Sequence, residues 1–403
     1  MRILNVTQSY TPFFEFGGPP EKVRALAEGL ARKGHEVAVL TADWGLDRRL
    51  RSMPKEAPAE DCRFGRRRRV NGVTAIYLAN WLHLRSASWN PALGRYLRAR
   101  LKEFEVVHIF GLYDLLGPRV AAACRKAKIP YLVEPIGMFV PIVRSIWMKR
   151  MYHRMWGREM LAGANAIIAT AEQERDELVS GGLAKGNIVL RRNGVEAPER
   201  LPERGEFRRS LRIAPEDKLI LFLGRFSQKK SPDLLLKAFA GLGNAESRES
   251  QRLHLAFVGP DESGMKSRLE RMAEQHRIAG RVHFCPPLGG EAKWSAYRDA
   301  DIFVLPSQNE NFGNTAAEAV AAGTPVVVTD QCGIAPLLKD VAGLVVRHEE
   351  GELGRALHQL VMNDELYKKL QSGCAKAVAK LGWDEPVQEM EVIYWRLAGR
   401  RQS

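Results

Sequence analysis

The chain has 403 residues, 45% of them hydrophobic and 27% charged, with a formal net charge of +14. That length is too great for one ordinary core and suits two α/β domains, in a composition typical of soluble globular proteins. Apolar runs such as Leu219 to Leu223 stop well short of the roughly 20 residues that a membrane span needs. The start, Met-Arg-Ile-Leu-Asn-Val, reads as a first β-strand and not as a signal peptide. Five scattered cysteines, Cys62, Cys124, Cys285, Cys332 and Cys374, never form C-x-x-C. They argue against a disulfide framework or a structural zinc site and for a reducing cytoplasm.

The charge is uneven. Residues 1–200 hold 33 lysines and arginines against 20 acidic residues, a balance of +13, and the remainder is nearly neutral. The first half is therefore expected to face an anionic partner. Nucleic acid, an anionic membrane and a phosphorylated acceptor are all compatible with it.

In chain order, Ile3 to Val6, Glu36 to Leu40, Val106 to Ile109, Tyr131 to Val133, Ala166 to Ala169 and Ile188 to Leu190 read as strands. Most are nearly continuous apolar runs, as parallel strands covered on both faces require. Pro20 to Lys33 and Leu115 to Lys128 carry helical spacing between them. Pro19 and Pro20 suit a helix start, and Gly34 suits a C-cap. Repeated strand, helix, strand predicts a doubly wound sheet with right-handed crossovers. Residues 43–69, rich in Arg, Pro and Glu and ending in Arg66-Arg67-Arg68-Arg69, break the rhythm. They read as a mobile insertion or a solvated excursion before a strand at Val73 to Leu78.

Glu196 to Phe207 reads as a linker. A second series follows, with strands at Leu219 to Leu223, Leu253 to Val258, Val282 to Phe284, Ile302 to Leu305 and Val326 to Val328. Helical spacing lies at Pro232 to Leu242, Met265 to His276, near Trp294, at Thr315 to Ala322, and in two stretches between Leu353 and Leu381. The expected organisation is a first α/β domain at 1–195, a linker at 196–207, a second α/β domain at 208–383, and a helix at 384–403 returning to the first.

The sharpest cluster runs from Leu305 to Gln331. A buried strand ends at Pro306, a polar loop holds Glu310 and Gly313, and a helix opens near Asn314. Ligands of open α/β sheets bind at such carboxyl ends of strands. Free N–H groups of Gly313, Asn314 and Thr315 suit an anion such as diphosphate. Glu318 lies one turn into the helix among apolar neighbours, and a carboxylate binds a vicinal diol well because each oxygen accepts from one hydroxyl. A helix-dipole partner at Glu310 and a solvated Glu318 are the bland alternatives.

A second cluster, Gly224-Arg225-Phe226-Ser227-Gln228-Lys229-Lys230, directly follows a strand. Glycine at a strand end followed by cations suits a phosphate-binding loop. Gly17-Gly18, between the first strand and its helix, fits either a phosphate contact or a plain tight turn. His108 lies inside an apolar strand, as a core histidine or a site residue. No histidine cluster has metal-ligand spacing, and neither a P-loop, a G-x-S-x-G elbow nor a nicotinamide fingerprint is present.

Taken together, these residues resemble retaining glycosyltransferase family 4. Glu310 and Glu318 match its Glu-x7-Glu element, Gly224, Arg225 and Lys230 its Gly-Arg-x4-Lys element, and Gly17-Gly18 its early glycine pair. Val106 to Gly111, Pro135 to Met138 and Asn193-Gly194-Val195 are similar too. The resemblance implies the GT-B fold, two Rossmann-like doubly wound parallel-sheet domains facing across a cleft. It implies a nucleotide-diphosphate-sugar donor, UDP-linked in preference to GDP-linked, without a protein-held metal. Arg225 and Lys230 would then neutralise the diphosphate, Glu318 hold the ribose and Glu310 contact the sugar. The acceptor would be a saccharide or a polyprenyl-diphosphate-linked saccharide. Where the family often has Pro-His-Gly, this chain has Pro135-Ile136-Gly137, and Phe110 replaces the second histidine of His-x-His-Gly. His108 is then the remaining histidine candidate.

A nucleotide-sugar epimerase and a catalytically silent homologue stay open as alternatives, and no zinc finger or aromatic-basic single-strand module supports nucleic-acid binding. Phe139 to Leu161 interleaves aromatic and aliphatic residues with Arg144, Lys149, Arg150, Arg154 and Arg158. With Arg66 to Arg69, this predicts peripheral attachment to the inner face of a membrane.

Overall fold

The computed structural model describes all residues except 15–17, 54–56, 85–86, 141–145, 243–251, 263 and 400–403. The chain divides into two compact units, Met1–Gly194 with Trp383–Ser403, and Val195–Gly382. The first unit is therefore built from two separated stretches of chain.

Its strands are β1 (Arg2–Thr7), β2 (Glu36–Ala42), β3 (Glu60–Cys62), β4 (Gly65–Val70), β5 (Val73–Leu78), the hairpin β6 (Leu82–Leu84) and β7 (Ala87–Trp89), β8 (Val106–Phe110), β9 (Tyr131–Glu134), β10 (Ala166–Ala169) and β11 (Ile188–Leu190). The main sheet runs β11-β10-β9-β8-β1-β2-β5-β4-β3. Seven strands are parallel, and β4 and β3 extend the sheet antiparallel from β5.

This extension corrects the reading of 43–69 as a mobile or merely solvated insertion. The segment contains a helix (Leu46–Arg51) and two paired strands. Four consecutive arginines are accommodated because their environments alternate along β4. Arg66 pairs with Asp47 and Asp61, Arg67 pairs with Glu60, and buried Arg68 donates to the Ala57 carbonyl at 3.0 Å. The three-residue β3 ends the sheet as a short charged edge, a form that discourages further strand pairing. Gly65 is required at the hairpin, with φ +145° and an added Cβ only 2.2 Å from the Tyr77 carbonyl oxygen.

Because strand side chains alternate, the sheet buries two apolar faces. On one, Leu4, Val6, Leu40, Ile109 and Val133 pack with Leu93 of Ala92–Arg100 and Val120 of Leu116–Ala127. On the other, Ile3, Val39 and Ile168 pack with Val23, Leu26 and Leu30 of Gly18–Arg32 and with Val387, Met390 and Tyr394 of Asp384–Leu397. Those two helices meet at Gly29, where a Cβ would stand 2.5 Å from Val387.

The second unit has β12 (Lys218–Leu223), β13 (Leu253–Val258), β14 (Val282–Cys285), β15 (Ile302–Leu305), β16 (Val326–Thr329) and β17 (Gly343–Val346). All are parallel, in the order β14-β13-β12-β15-β16-β17. Counted within the unit this is 3-2-1-4-5-6, the order of doubly wound dinucleotide-binding sheets. Leu221, Phe303 and Val328 belong to one core, and Ile220, Val304 and Val327 to the other. The strand order reverses between β12 and β15, and that reversal places the candidate site.

Candidate functional site

In open α/β sheets the crevice outside the carboxyl ends of the strands, at the reversal of strand order, is where ligands bind. In the second unit that point is flanked by the loops after Leu223 and Leu305. These loops carry Gly224, Arg225 and Lys230 on one side and Glu310, Gly313, Asn314, Thr315 and Glu318 on the other. The sequence clusters therefore share one sheet edge.

The first loop is held by its aromatic centre. Phe226 is buried against Phe222, Phe257 and Phe284, and its N–H donates to the Pro260 carbonyl at 2.9 Å. Gly224 donates to Val258, and Gly259 approaches so closely that a Cβ there would lie 2.0 Å from the Gly224 carbonyl oxygen. With its neighbour pinned, Arg225 remains exposed, and its guanidinium has no acidic partner among the described residues. A 3-10 turn, Gln228–Lys230, then turns the chain into the helix Pro232–Ala240.

The second loop is stitched to the strands beside it. Thr329 Oγ1 donates to the Ser307 carbonyl at 2.6 Å, Glu310 N–H to Gln331 at 2.9 Å, and Gly333 N–H to Glu310 at 3.0 Å. Gly313 has φ +108°, and a Cβ on it would meet Ile334 at 2.9 Å, so only glycine fits. The helix Asn314–Ala321 opens there without a side-chain cap. The buried Thr315 hydroxyl has no hydrogen-bond partner among the described residues.

A hydrogen bond and an ion pair join the loops. Gln308 N–H donates to the Lys229 carbonyl at 2.9 Å, and the Lys230 ammonium pairs with the Glu310 carboxylate. Glu318, 8% exposed, accepts from Tyr297 Oη at 2.8 Å and Lys293 Nζ at 2.9 Å. Both partners lie one helical turn apart on Gly290–Asp299. Sequence reasoning missed them, although a lysine and a tyrosine four residues apart share a helix face. The arrangement joins cations, a helix amino terminus and two carboxylates at one edge, which suits a ligand with both an anionic group and a diol.

The first unit is different. Gly17 lies outside the described residues, and Gly18 is the first residue of its helix. His108 is fully buried in β8, where Nδ1 lies 2.7 Å from the Tyr394 hydroxyl and Nε2 lies 3.5 Å from Glu134. Of its two readings, core histidine or site residue, this geometry is that of the first: His108 belongs to an interior network that joins the last helix to the sheet. Lys22 and Arg191, both buried, pair with Glu134. Burial alone would raise the Glu134 pKa, but the charges of Arg191 and Lys22 outweigh it and hold the carboxyl at about 2. Burial keeps His108 well below its ordinary range, and the same two cations add to the effect. Nearby, Ile136 has φ +57° and Gly137 φ +64°. Glu174 fixes that turn, accepting from Gly137 N–H at 2.5 Å and Thr170 N–H at 2.8 Å. A β-branched residue in the left-handed region is strained, a condition concentrated at ligand-binding turns.

Among the described residues no three His, Cys, Asp or Glu side chains gather as a metal site, and no helix is long and apolar enough to cross a membrane.

Two family models divide the chain. Glycosyl transferase 4-like domain matches residues 17–194, and Glycosyl transferases group 1 matches residues 203–376. The D-inositol 3-phosphate glycosyltransferase of Streptomyces bingchenggensis is 34% identical over 250 residues, 60% of this chain and 55% of that protein. The corresponding protein of Actinosynnema mirum is 33% identical over 249 residues, 60% of each chain. The chain thus matches little more than half the length of these curated relatives. Sucrose-phosphate synthase from Thermosynechococcus elongatus superposes with a TM-score of 0.74 at 19% identity, over 99% of both chains. Anabaena HepE, in complex with UDP and glucose, superposes at 0.71 with 16% identity, over 98% of this chain and 99% of that one. At such identities the superpositions speak to fold alone.

Proposed function

The chain belongs to the family 4 type of GT-B glycosyltransferases, and from that membership we propose that it moves a sugar from a nucleotide-diphosphate-sugar to a saccharide acceptor with retention of configuration. The observation that carries this reading is the meeting, at the strand-order reversal, of the Gly224–Lys230 loop with the Glu310–Glu318 segment.

In this reading Arg225, Lys230 and the N–H groups of Gly313 to Thr315 receive the donor diphosphate. As the bond to the sugar breaks, negative charge grows on the leaving phosphate, and preorganised cations and dipoles stabilise it without reorganising. Glu318, oriented by Tyr297 and Lys293, accepts from the ribose hydroxyls. Glu310, beside Lys230, contacts the sugar. The acceptor hydroxyl attacks from the leaving-group face and gives its proton to the departing phosphate oxygen. A uracil nucleotide is the donor we favour, since HepE shares this fold and was solved with UDP. The relatives named for D-inositol 3-phosphate make a phosphorylated polyol an acceptor to test beside lipid-linked saccharides.

The test is a thermal-shift and turnover screen across uracil, guanine and adenine nucleotide sugars, with and without acceptors. Stabilisation by one nucleotide class and turnover that needs an acceptor are expected. Interconversion of the donor without acceptor would establish an epimerase instead, and indifference to every nucleotide would remove the donor site.

Peripheral attachment to an anionic membrane is part of the proposal. Ile146–Tyr152 and Arg158–Ala162 form one helical run through a π-turn at His153–Gly157. Ile146, Met151, Met155 and Trp156 are exposed there, and Trp147 is 67% exposed, beside Lys149, Arg150, Arg154 and Arg158. Aromatic rings with long cationic stems are what an interfacial helix offers to anionic headgroups.

A further inference from the structure

The arginine strand creates a second concavity that the donor reading does not use. Cross-strand partners share a face of a sheet. Arg67 stands opposite Ile76, Arg69 opposite Thr74, and Thr74 opposite Ala38, so one face of β4, β5 and β2 presents two arginines above a small apolar floor. In a doubly wound sheet a helix would cover that face. Here Ala92–Arg100 and the turn Leu101–Glu103 cover only part of it. The remainder is a trough of about 780 Å³, within the range of small-molecule sites.

The trough lies at the amino ends of β1 and β2, where Arg2 and Glu36 line it. Ligands of such sheets ordinarily bind at the opposite, carboxyl ends. One wall is aromatic, with Phe64 and Tyr96 packed edge to face at 5.1 Å beside Phe104. The other walls are cationic. Arg2 is neutralised by Glu36, Arg67 by Glu60 and Arg100 by Glu103. Exposed Arg63 and Arg69 have no acidic partner among the described residues, and Arg63 lies over the Phe64 ring at 5.9 Å. The site therefore combines an aromatic wall, a threonine hydroxyl and two unneutralised guanidinium forks, whose geometry matches a phosphate or a carboxylate.

We propose that this trough binds an anionic saccharide, with its phosphate or carboxylate on Arg63 and Arg69 and its ring against Phe64 and Tyr96. The anionic group follows from the trough itself, and the saccharide rests on the transferase reading. The trough holds part of an acidic acceptor or product at the amino ends of the first sheet's strands. It thereby adds affinity for charged glycans without taking part in transfer.

Calorimetry on the full chain at low ionic strength tests this, with glucose 6-phosphate and tetragalacturonate as probes and maltotetraose as the neutral control. At least one anion should bind with 1:1 stoichiometry and weaken as salt rises, and maltotetraose should bind at least tenfold less tightly. Whichever anion binds identifies the charged group. The double variant Arg63→Ala, Arg69→Ala should lose at least tenfold in affinity while melting at the wild-type temperature. Absence of binding by both anions, equal binding of the neutral sugar, or undiminished binding in the double variant would overturn the proposal. The readout is binding and not turnover, so a failure to find transferase activity leaves this test intact.

Discussion

Replacing Glu318 is the most direct test of the donor site. Its two carboxylate oxygens each accept one internal hydrogen bond, from Lys293 at 2.9 Å and Tyr297 at 2.8 Å, and each keeps a lone pair for a ribose hydroxyl. Hydrogen bonds to a charged group contribute about 1.5–3 kcal/mol. At about 1.4 kcal/mol per decade, Glu318→Ala should weaken binding of UDP by about 10- to 150-fold. Lys293 is 17% exposed at its side chain and can turn to solvent, so the variant should stay folded. Glu318→Gln keeps one acceptor and should fall between wild type and alanine. Tyr297→Phe removes only a positioning contact and should cost a few-fold. Titration calorimetry with UDP, checked by circular dichroism, provides the measurement. A folded Glu318→Ala protein that binds UDP within twofold of wild type would refute the assignment.

Three further outcomes are expected. Arg225→Ala and Lys230→Ala should each lower turnover by about 10²–10³, the loss typical of one removed oxyanion contact; unchanged turnover with intact melting would place the diphosphate elsewhere. Glu134, held at about 2 against an ordinary 4.5, contributes stability that is fully present above pH 4.5. That contribution is lost as pH falls through about 2, and the shift corresponds to about 3 kcal/mol at about 1.4 kcal/mol per unit. Urea melts should therefore show the first unit weakening over that window, and Glu134→Gln, which strips Lys22 and Arg191 of their shared partner, should destabilise by about 3–5 kcal/mol at neutral pH. A variant as stable as wild type would contradict the network. Vesicles containing phosphatidylglycerol should co-sediment the protein at low salt and release it at high salt, and neutral vesicles should not; Trp147→Ala with Trp156→Ala should reduce binding. Equal binding to both vesicle types would remove the electrostatic part of the argument.

The second unit was the more legible in sequence. Its strands are apolar on both faces, so runs such as Leu219 to Leu223 stand out, and Gly313, at φ +108°, sits where an added Cβ would meet the Ile334 side chain. Glu310 and Glu318 were readable because their spacing spans a strand end and one helical turn. Lys293 and Tyr297 were not, since they reach Glu318 from another helix and only tertiary packing joins them. The extension of the first sheet was hidden for a related reason. Arginine is a poor strand signal, and what permits β4 is pairing with Asp47, Glu60 and Asp61 from outside the strand. The strand pattern alone leaves His108 open between core and site, because its neighbours Glu134 and Tyr394, and Arg191 paired to Glu134, are distant in the chain and make a hydrophobic-looking strand part of a buried charge network.

The discontinuity of the first unit bears on how the polypeptide emerges from the ribosome. Residues 195–382 form a continuous stretch and hold all six strands of their own sheet, so they can close their core as soon as they leave the exit tunnel. The unit that is translated first cannot finish first. Val23, Leu26 and Leu30 wait for Val387, Met390, Ile393 and Tyr394, and His108 waits for the Tyr394 hydroxyl. For the time needed to synthesise nearly two hundred residues, the older half of the nascent chain presents an uncovered apolar stripe and an unfinished polar network. A stop codon placed after Gly382 would make that interval permanent.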